Sequence, residues 1–418
     1  MFQLTNFVII ILLINILVAD RVENVKIIGN NITKDEIILR EIQHNLPGEF
    51  DSLMAQEDRN RIYNLGSFST VEIKAVNQVF NVYVVETFRF LPLPIVNYDE
   101  AKGWSYGASV VYLNFQGLNQ KLILGVILGE EKTWFLNFED PWIAGDHISF
   151  HGGFYQYYSE NAVYSYGYRE NGSYCGSGAY INENNRITGS LGIELITTDT
   201  LAVNDDLKHL PPNLSFNYRY LRFKLLYTFD SRDIFIDPEK GALFKVLFTP
   251  KYGIKGTRSY YRLYLENSKY VPIKKIPLNS VFSSKTSLFL QYSQSLPPFA
   301  YEYVGGEDYV RGYSPLPREN PNVEDLIEGF NIFYQNFQLQ HTLFEKKDYG
   351  GVELGIDLVY FADMGIASEK PESFRIKNVI FGYGFGLRLF ASGAGVIGID
   401  FGFNPYGGRF LHLSDSAD

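Results

Sequence analysis

The chain has 418 residues, of which 16% are aromatic and 37 are glycine, and its mean hydropathy is only −0.10. The formal charge of −10 and the pI near 5.3 argue against a nucleic-acid-binding surface. The single cysteine, Cys175, excludes an intramolecular disulfide and a zinc cluster built on cysteines. An aromatic chain of such modest hydropathy is typical of a β-rich protein whose strands alternate in polarity.

The N-terminus carries an apolar run from Phe7 to Val18 that ends at Ala19 and gives way to acidic and polar residues. This order predicts a secretory signal peptide over residues 1–19. Two features depart from the usual pattern, because no Lys or Arg precedes the run and Leu17 stands where a small residue is expected. An uncleaved membrane anchor is the alternative. Beyond this run, no stretch of about 20 apolar residues predicts a spanning helix.

Residues 20–90 predict a compact α+β module of the order β-α-α-β-β. The pattern Thr33-Lys-Asp-Glu36 is a capping box, and it predicts a first helix that runs to about His44. Asp51 or the adjacent serine caps a second helix, which stops at Gly66. The predicted strands cover residues 25–28, 71–75 and 79–86.

From residue 91 to 418 the chain predicts a mainly β fold, a 16-stranded antiparallel transmembrane β-barrel. The sixteen predicted strands cover 104–115, 119–129, 131–139, 146–158, 160–169, 173–183, 186–196, 216–230, 241–250, 259–270, 281–292, 329–342, 350–364, 377–390, 395–404 and 408–413. Most are about ten residues long, which is the length of a tilted strand that crosses a bilayer, and an even number is what a single-chain barrel needs. The two longest connections, 197–215 and 293–328, follow the seventh and eleventh strands and are therefore predicted on the outer side.

The two faces of these strands differ in kind. In 377–390, large apolar residues alternate with three glycines and Arg388, and in 395–404 the alternating face carries glycine and Asp400. Asp363 falls on the same kind of face. A soluble sandwich would turn its bulky residues to a dry core, whereas this pattern fits a lipid-facing exterior and a lumen of glycine and single charges. We expect Arg388 and Asp400 to pair across one hairpin for structural charge neutralisation rather than gating.

Three short motifs stand in the order and on the strands where one known family has them. They are the loop motif Val310-Arg311-Gly312-Tyr313 after the eleventh strand, the strand motif Phe361-x-Asp363-x-Gly365 on the thirteenth, and the hairpin motif Asp230-x-Arg232-Asp233 with Pro238 and Gly241. With the leading module, the chain resembles the BamA/TamA superfamily of outer-membrane assembly and translocation barrels. The module resembles that family's periplasmic POTRA domain. A typical assembly protein of Gram-negative bacteria has five such domains, so one implies few docking partners or a narrower set of clients.

The resemblance implies that Arg311 folds back into the lumen and pairs with Asp363. A guanidinium offers a planar fork that a carboxylate accepts at two points, so the pair can hold a long loop against the wall. Gly312 lets the backbone pack closely, and Tyr313 adds an aromatic contact. The alternative is a solvated loop arginine.

Other patterns do not predict a site. The three glycines Gly382, Gly384 and Gly386 follow strand alternation with no helix after them, which argues against a nucleotide site. His147 and His151 lie about 13 Å apart on a strand, too far for one metal ion. The chain has no H-E-x-x-H, G-x-S-x-G or P-loop pattern, so we expect no metal, no cofactor and no enzymatic activity.

The resemblance implies an outer-membrane protein whose N-terminal domain lies in the periplasm. We expect an assembly factor that folds and inserts β-barrel clients through a weak seam between the last strand, Gly408–Ser414, and the first, Trp104–Phe115. Its partners would be unfolded clients or translocated polypeptides, outer-membrane lipid and periplasmic accessory proteins, but no nucleic acid. The alternatives are a polypeptide-translocating pore of the two-partner secretion type, a plain porin, and a mitochondrial or plastid homologue.

Overall fold

The computed structural model describes residues 21–99, 102–144, 148–161, 163–200, 210–211, 214–274, 279–392 and 395–416. The predicted signal peptide over residues 1–19 lies outside this range. Within it, no helix combines the length and the apolar composition that a membrane-crossing helix needs.

The leading module is a small three-stranded sheet covered by helices. Its elements are β1 (Arg21–Val22), β2 (Asn24–Ile28), α1 (Asp35–Leu39), β3 (Gly48–Glu49), α2 (Ser52–Asn64), β4 (Phe68–Val76) and β5 (Val79–Glu86). Strand β5 is central, parallel to β2 and antiparallel to β4. Ile62 of α2 packs with Val71, Phe80 and Val82 of the sheet to form the core. This arrangement leaves β4 at an edge of the module's sheet.

The two helices differ in how well the sequence predicts them. Asp51 caps α2, because its Oδ1 accepts from the backbone N–H of Leu53 at 2.8 Å, and Gly66 follows the helix at φ +70°. The predicted first helix to His44 is wrong, since α1 has only five residues. The Thr33 hydroxyl does not cap it but donates to Glu86 Oε1 at 2.6 Å, and so the capping box is not formed.

The remainder is one antiparallel sheet of sixteen strands, which confirms the predicted fold class. In order they are β6 (Phe90–Asp99), β7 (Gly103–Phe115), β8 (Gln120–Gly129), β9 (Glu131–Ala144), β10 (Ile148–Glu160), β11 (Tyr166–Asn182), β12 (Asn185–Thr200), β13 (Asn217–Asp230), β14 (Gly241–Gly253), β15 (Tyr260–Ile273), β16 (Ser280–Tyr292), β19 (Asn331–Asp348), β20 (Glu353–Ser368), β21 (Ile380–Ala391), β22 (Gly395–Phe403) and β23 (Arg409–Ser416). Two-residue strands β17 (Glu302–Tyr303) and β18 (Glu328–Gly329) pair with each other in the connection between β16 and β19.

Two predicted strands need correction. The segments 160–169 and 173–183 form one continuous strand, β11, and a strand at Phe90–Asp99 precedes the predicted first one. That strand carries Pro92 and Pro94, which weaken a strand pattern. The two errors cancel before β12, so the two long connections still follow the seventh and eleventh strands.

The sheet's two faces have the predicted character. On β21, Phe381, Tyr383 and Phe385 are 40–45% exposed, whereas Gly382 and the neighbouring strand's Asp400 are buried on the opposite side. The bulky face is therefore outermost, as a lipid-facing wall requires.

The first and last strands of the sheet, β6 and β23, have one neighbour each, β7 and β22, and do not pair with each other over their described lengths. The predicted seam partner Trp104–Phe115 is wrong, because that strand is β7 and is paired on both sides. The seam therefore lies between Phe90–Asp99 and Arg409–Ser416.

Candidate functional site

The connection between β16 and β19, residues 293–330, is hereafter the long loop. It does not stay in solvent. Val304, Val310 and Tyr313 are at most 1% exposed, and they pack with Ile332 of β19 and Ile380 of β21. The sheet curves around this loop, so its interior is a filled lumen.

Arg311 is the centre of the buried contact between loop and wall. Its Nε donates to Asp363 Oδ2 at 2.7 Å, and its Nη2 donates to Asp363 Oδ1 at 2.9 Å, which is a two-point contact. Its backbone N–H also donates to Asp363 Oδ2 at 3.2 Å. The Phe361 ring lies under the guanidinium, 3.6 Å from its centroid. The predicted Arg311–Asp363 contact is confirmed, and Arg311 is only 4% exposed.

Asp400 extends this pair into a chain of four charges. The Arg311 Nη1 donates to Asp400 Oδ2 at 2.9 Å, and Arg388 donates to both oxygens of Asp400, at 2.6 and 2.8 Å. The predicted Arg388–Asp400 pair is confirmed. Sequence reasoning missed that Asp400 joins it to Arg311. Burial opposes the charge on Arg311, but the two carboxylates outweigh it and raise the pKa of the guanidinium.

Glycines on the lumen face make room for the loop backbone. A Cβ on Gly382 would lie 1.8 Å from the carbonyl oxygen of Arg311, and one on Gly402 would lie 2.4 Å from the backbone nitrogen of Gly312. Gly312 itself has φ +95°, and a Cβ there would lie 2.4 Å from the Phe403 carbonyl oxygen. The close approach of the loop backbone therefore requires glycine at 382 and 402.

The other residues of the loop and strand motifs close the same contact. The Tyr313 hydroxyl donates to the Phe381 carbonyl at 3.0 Å. Gly365 faces Val310, whose Cγ2 would lie 2.6 Å from a Cβ at that glycine. A small residue is therefore required at position 365 for Val310 to seat.

The tip of the long loop also binds the last strand, which the sequence did not predict. The Gly312 N–H donates to Nε2 of His412 at 2.9 Å, and Asn404 Nδ2 donates to the Gly312 carbonyl at 2.6 Å. His412 is fully buried. His412 therefore marks the place where the last strand meets the loop.

A second set of contacts holds the loop to the opposite wall. Glu302 accepts from Nη2 of Arg262 on β15 at 2.7 Å and from the Tyr309 hydroxyl at 3.0 Å. Glu328 accepts from the Tyr164 hydroxyl at 3.0 Å. Burial raises the pKa of both glutamates. The loop thus crosses the lumen between two walls.

The hairpin motif forms a rigid turn between β13 and β14. Arg232 donates to both oxygens of Asp230, at 2.9 and 2.8 Å, and Asp233 Oδ1 accepts from three backbone N–H groups of the turn. Gly241 has φ +109°, and a Cβ there would lie 2.2 Å from a carbonyl oxygen of the turn. Pro238 lies in the same turn.

This turn touches the leading module. Nδ2 of Asn64, at the end of α2, donates to the Asp233 carbonyl at 3.1 Å, and its Oδ1 accepts from the Phe235 N–H at 3.0 Å. The side-chain amide of Asn64 therefore hydrogen-bonds to the hairpin through both its nitrogen and its oxygen.

The module contacts other turns at the same end of the sheet, hereafter the module end. Lys34 N–H donates to the Gly117 carbonyl at 3.1 Å, and the Thr87 hydroxyl donates to the Gly351 carbonyl at 3.1 Å. The Arg40 guanidinium lies 4.1 Å from the Trp142 ring centroid, and burial lowers its pKa. These turns join strands from β7 to β20, so the module lies across the opening of the lumen.

His147 and His151, which the sequence does not predict to bind a metal ion, are placed as follows. His147 lies outside the described residues, and the His151 ring lies 6.2 Å from that of Tyr174, tilted by 45°. Over the described ranges, no group of three or more potential metal ligands lies together.

Comparisons with known proteins agree with this architecture. The Omp85 superfamily domain matches residues 114–408, and the POTRA surface antigen variable number repeat matches residues 21–87. The outer membrane protein assembly factor BamA of Nitratidesulfovibrio vulgaris is 23% identical over 371 residues, which cover 84% of this chain and 44% of that one. The chain thus spans less than half the length of this relative.

Two solved structures share the fold. BamA from Haemophilus ducreyi lacking POTRA domains 1–3 superposes with a TM-score of 0.57 at 17% identity, over 94% of this chain and 83% of that one. CdiB from Escherichia coli gives 0.58 at 15% identity, over 95% and 75%. The chain belongs to the Omp85 superfamily, the family of BamA, and is an outer-membrane β-barrel protein with a periplasmic POTRA domain.

Proposed function

We propose that the protein helps β-barrel clients to fold and insert into the outer membrane through the free edges of β6 and β23. The observation that carries this proposal is that these two strands end the sheet without pairing with each other over their described lengths. A strand edge with free N–H and C=O groups can template a further strand. In lipid each unpaired group costs several kcal/mol, so strand addition is favourable and needs no ATP.

The filled lumen supports lateral insertion over steady conduction. The long loop binds Asp363 and Asp400 on one wall and Arg262 on the other. The POTRA domain lies across the module end, which is the periplasmic end. A polypeptide could thread this lumen only after both obstacles had moved, whereas the seam needs neither to leave.

The second candidate is a polypeptide-translocating pore of the two-partner secretion type. The likeness in fold to CdiB, a protein of similar architecture, supports this candidate. It requires that the long loop leave its buried contacts. In both cases the partners are unfolded or translocated polypeptides, outer-membrane lipid and periplasmic accessory proteins, and the protein catalyses no covalent chemistry.

Reconstitution in liposomes distinguishes the two. The insertion rate of an unfolded eight-stranded barrel client and the single-channel conductance are measured on the same preparation. Faster insertion with little steady conductance supports assembly, and large stable conductance without faster insertion supports the pore. Arg311→Ala should raise conductance by freeing the loop, whereas Arg375→Ala, which removes an exposed arginine of another connection, should leave both readings unchanged.

A further inference from the structure

The free edge of β6 differs from that of an ordinary strand because of its two prolines. Only alternate residues of a strand direct their N–H and C=O toward a given neighbour. The Leu113 N–H donates to the Arg89 carbonyl at 2.7 Å, and in the β6–β7 register Phe90 then follows opposite Tyr112. Residues 91, 93, 95, 97 and 99 therefore bond to β7, and residues 90, 92, 94, 96 and 98 face the seam.

The hydrogen bonds between β7 and β8 independently indicate which residues of β6 face the seam. The Glu130 N–H donates to the Trp104 carbonyl, so the even-numbered residues of β7 bond to β8 and the odd-numbered ones bond to β6. Pro92 and Pro94 thus turn their nitrogens to the seam. A proline has no N–H, so this edge offers donors only at Phe90, Val96 and Tyr98.

The same sheet shows what a proline does when it faces a neighbouring strand. The Ser231 N–H donates to the Ala242 carbonyl, which directs the even-numbered residues of β14, Pro250 among them, toward β13. The β13–β14 ladder is interrupted there, between the pairs Arg222↔Lys251 and Leu225↔Phe248. A proline nitrogen opposite a strand therefore coincides with lost pairing in this molecule.

The two ends of the seam also differ in their surroundings. At the outer end, Arg409 and Leu411 of β23 share a cleft of about 420 Å³ with Trp104, the residue opposite Tyr98. At the periplasmic end, the cleft beside β6 is lined by Phe88 and by POTRA residues such as Ile32. The last strand thus approaches the first at the outer end.

The last strand is held in this position by its own contacts. The Asn404 N–H donates to the Gly408 carbonyl, so the odd-numbered residues of β23, from Arg409 onward, face the seam. His412, which points to the lumen, is bound to the tip of the long loop. The backbone groups that face β6 are therefore free to pair while the other side of the strand is fixed.

We propose that Pro92 and Pro94 restrict the seam to its outer half, so that β23 pairs with β6 only near Val96 and Tyr98 and the periplasmic half stays open. In a register that aligns the outer ends, residues 98 and 96 each exchange two hydrogen bonds with β23. Opposite Pro94 and Pro92, the carbonyls of β23 find no donor, and the proline rings occupy the space of the missing hydrogens. The use of this opening by clients rests on the proposed function, but the half-length seam does not.

The pairing itself is tested by proton-detected NMR of the full chain in lipid bilayers, without a client. We expect amide-to-amide contacts from Val96 and Tyr98 to β23 and none from Phe90, whose N–H also faces the seam. Contacts from Phe90 to β23 would mean a full-length seam, and no contact from any of the three would mean no seam. Either result overturns the proposal.

A double variant tests whether the prolines are the cause. In Pro92→Val/Pro94→Val, the contacts to β23 should extend to the new amides and to Phe90. Pro272→Val is the matched control, because Pro272 is also exposed near the periplasmic end but lies in the paired strand β15. If the double variant keeps the native pattern, the prolines do not limit the seam.

An activity measurement then separates this proposal from the proposed function. The double variant should insert a barrel client at least about tenfold more slowly, the factor expected if only one or two of the added ladder hydrogen bonds must break before a client enters. If the native chain does not insert clients but shows the half-length pattern, the proposed function fails and the seam proposal stands. If the variant pairs along the full length of the seam but inserts clients at the native rate, the seam proposal stands and the seam is not the route of insertion.

Discussion

Removal of Arg311 should expose how strongly the long loop depends on buried charge. In Arg311→Met, Asp363 stays at 0% exposure and loses the side chain that supplies its two-point contact. Breaking a buried pair by removing one partner costs about 3–5 kcal/mol, because the other charge is left uncompensated. Asp363→Leu should cost less, since Arg311 keeps Asp400 as a partner.

The double variant Arg311→Met/Asp363→Leu gives the decisive comparison. It leaves no isolated charge, because Asp400 retains both hydrogen bonds from Arg388. The free energy of unfolding should therefore fall by about 3 kcal/mol less than the sum of the two single effects. Arg388→Met is the control, since Arg388 lies nearer solvent and Asp400 keeps Arg311.

The measurement is a denaturant titration of the refolded barrel in detergent micelles, followed by fluorescence of its three tryptophans. An unchanged denaturant slope shows that stability alone has changed. A coupling energy below about 0.5 kcal/mol would show that the two side chains act independently and would refute the buried-pair reasoning.

Three further outcomes are expected. Gly382→Ala should displace the loop tip and increase tryptic cleavage of the long loop, because the new Cβ would lie 1.8 Å from a loop carbonyl. Gly189→Ala is the control, because a Cβ there meets nothing within 4 Å, and it should behave as the native chain. Equal cleavage of the two variants would contradict the packing argument. Asn64→Ala should speed amide hydrogen exchange in residues 231–240 by loosening the POTRA contact, and native rates there would count against that contact. Burial raises the pKa of Glu328, so the docked loop binds more protons than the free loop, and docking should weaken as pH rises from about 4.5 through the raised value. Glu328→Gln should reduce this pH dependence, measured as the amide hydrogen-exchange protection of the long loop, and the part due to Glu302, whose pKa burial also raises, should remain.

The strands of the sheet could be predicted from the sequence, because one face meets lipid and the other meets the lumen. Large apolar residues therefore alternate with small or polar residues along every strand. Phe381, Tyr383 and Phe385 alternate with glycines for that reason, and strand length follows from the bilayer. The strand β6 was missed because Pro92 and Pro94 remove the donors that mark an ordinary strand. Its prolines cost the sheet no ladder hydrogen bonds because their nitrogens face a free edge, and this depends on a ladder register that local pattern does not reveal.

The site was predicted unevenly for a related reason. The Arg311–Asp363 contact followed from a family resemblance, and Arg388–Asp400 followed from neighbouring strands in one hairpin. The sharing of Asp400 between two arginines depends on how far the long loop reaches along the wall, which is a three-dimensional quantity. His412 carried one signal, a polar residue in the last strand, but its partner Gly312 lies 100 residues away in the chain.

The long loop and the last strand of the seam are joined by direct hydrogen bonds. Gly312 is bonded through its N–H to His412 of β23 and through its carbonyl to Asn404, in the turn before β23. Its neighbour Arg311 is bonded to β20 and β22. Withdrawal of the loop would break the hydrogen bond between the Gly312 N–H and His412, and a bond of this kind contributes about 0.5–1.5 kcal/mol. The last strand is therefore most firmly placed when the loop is seated, and the proposed half-length seam can open without breaking the buried ion pairs that hold the loop, because their carboxylates lie on β20 and β22.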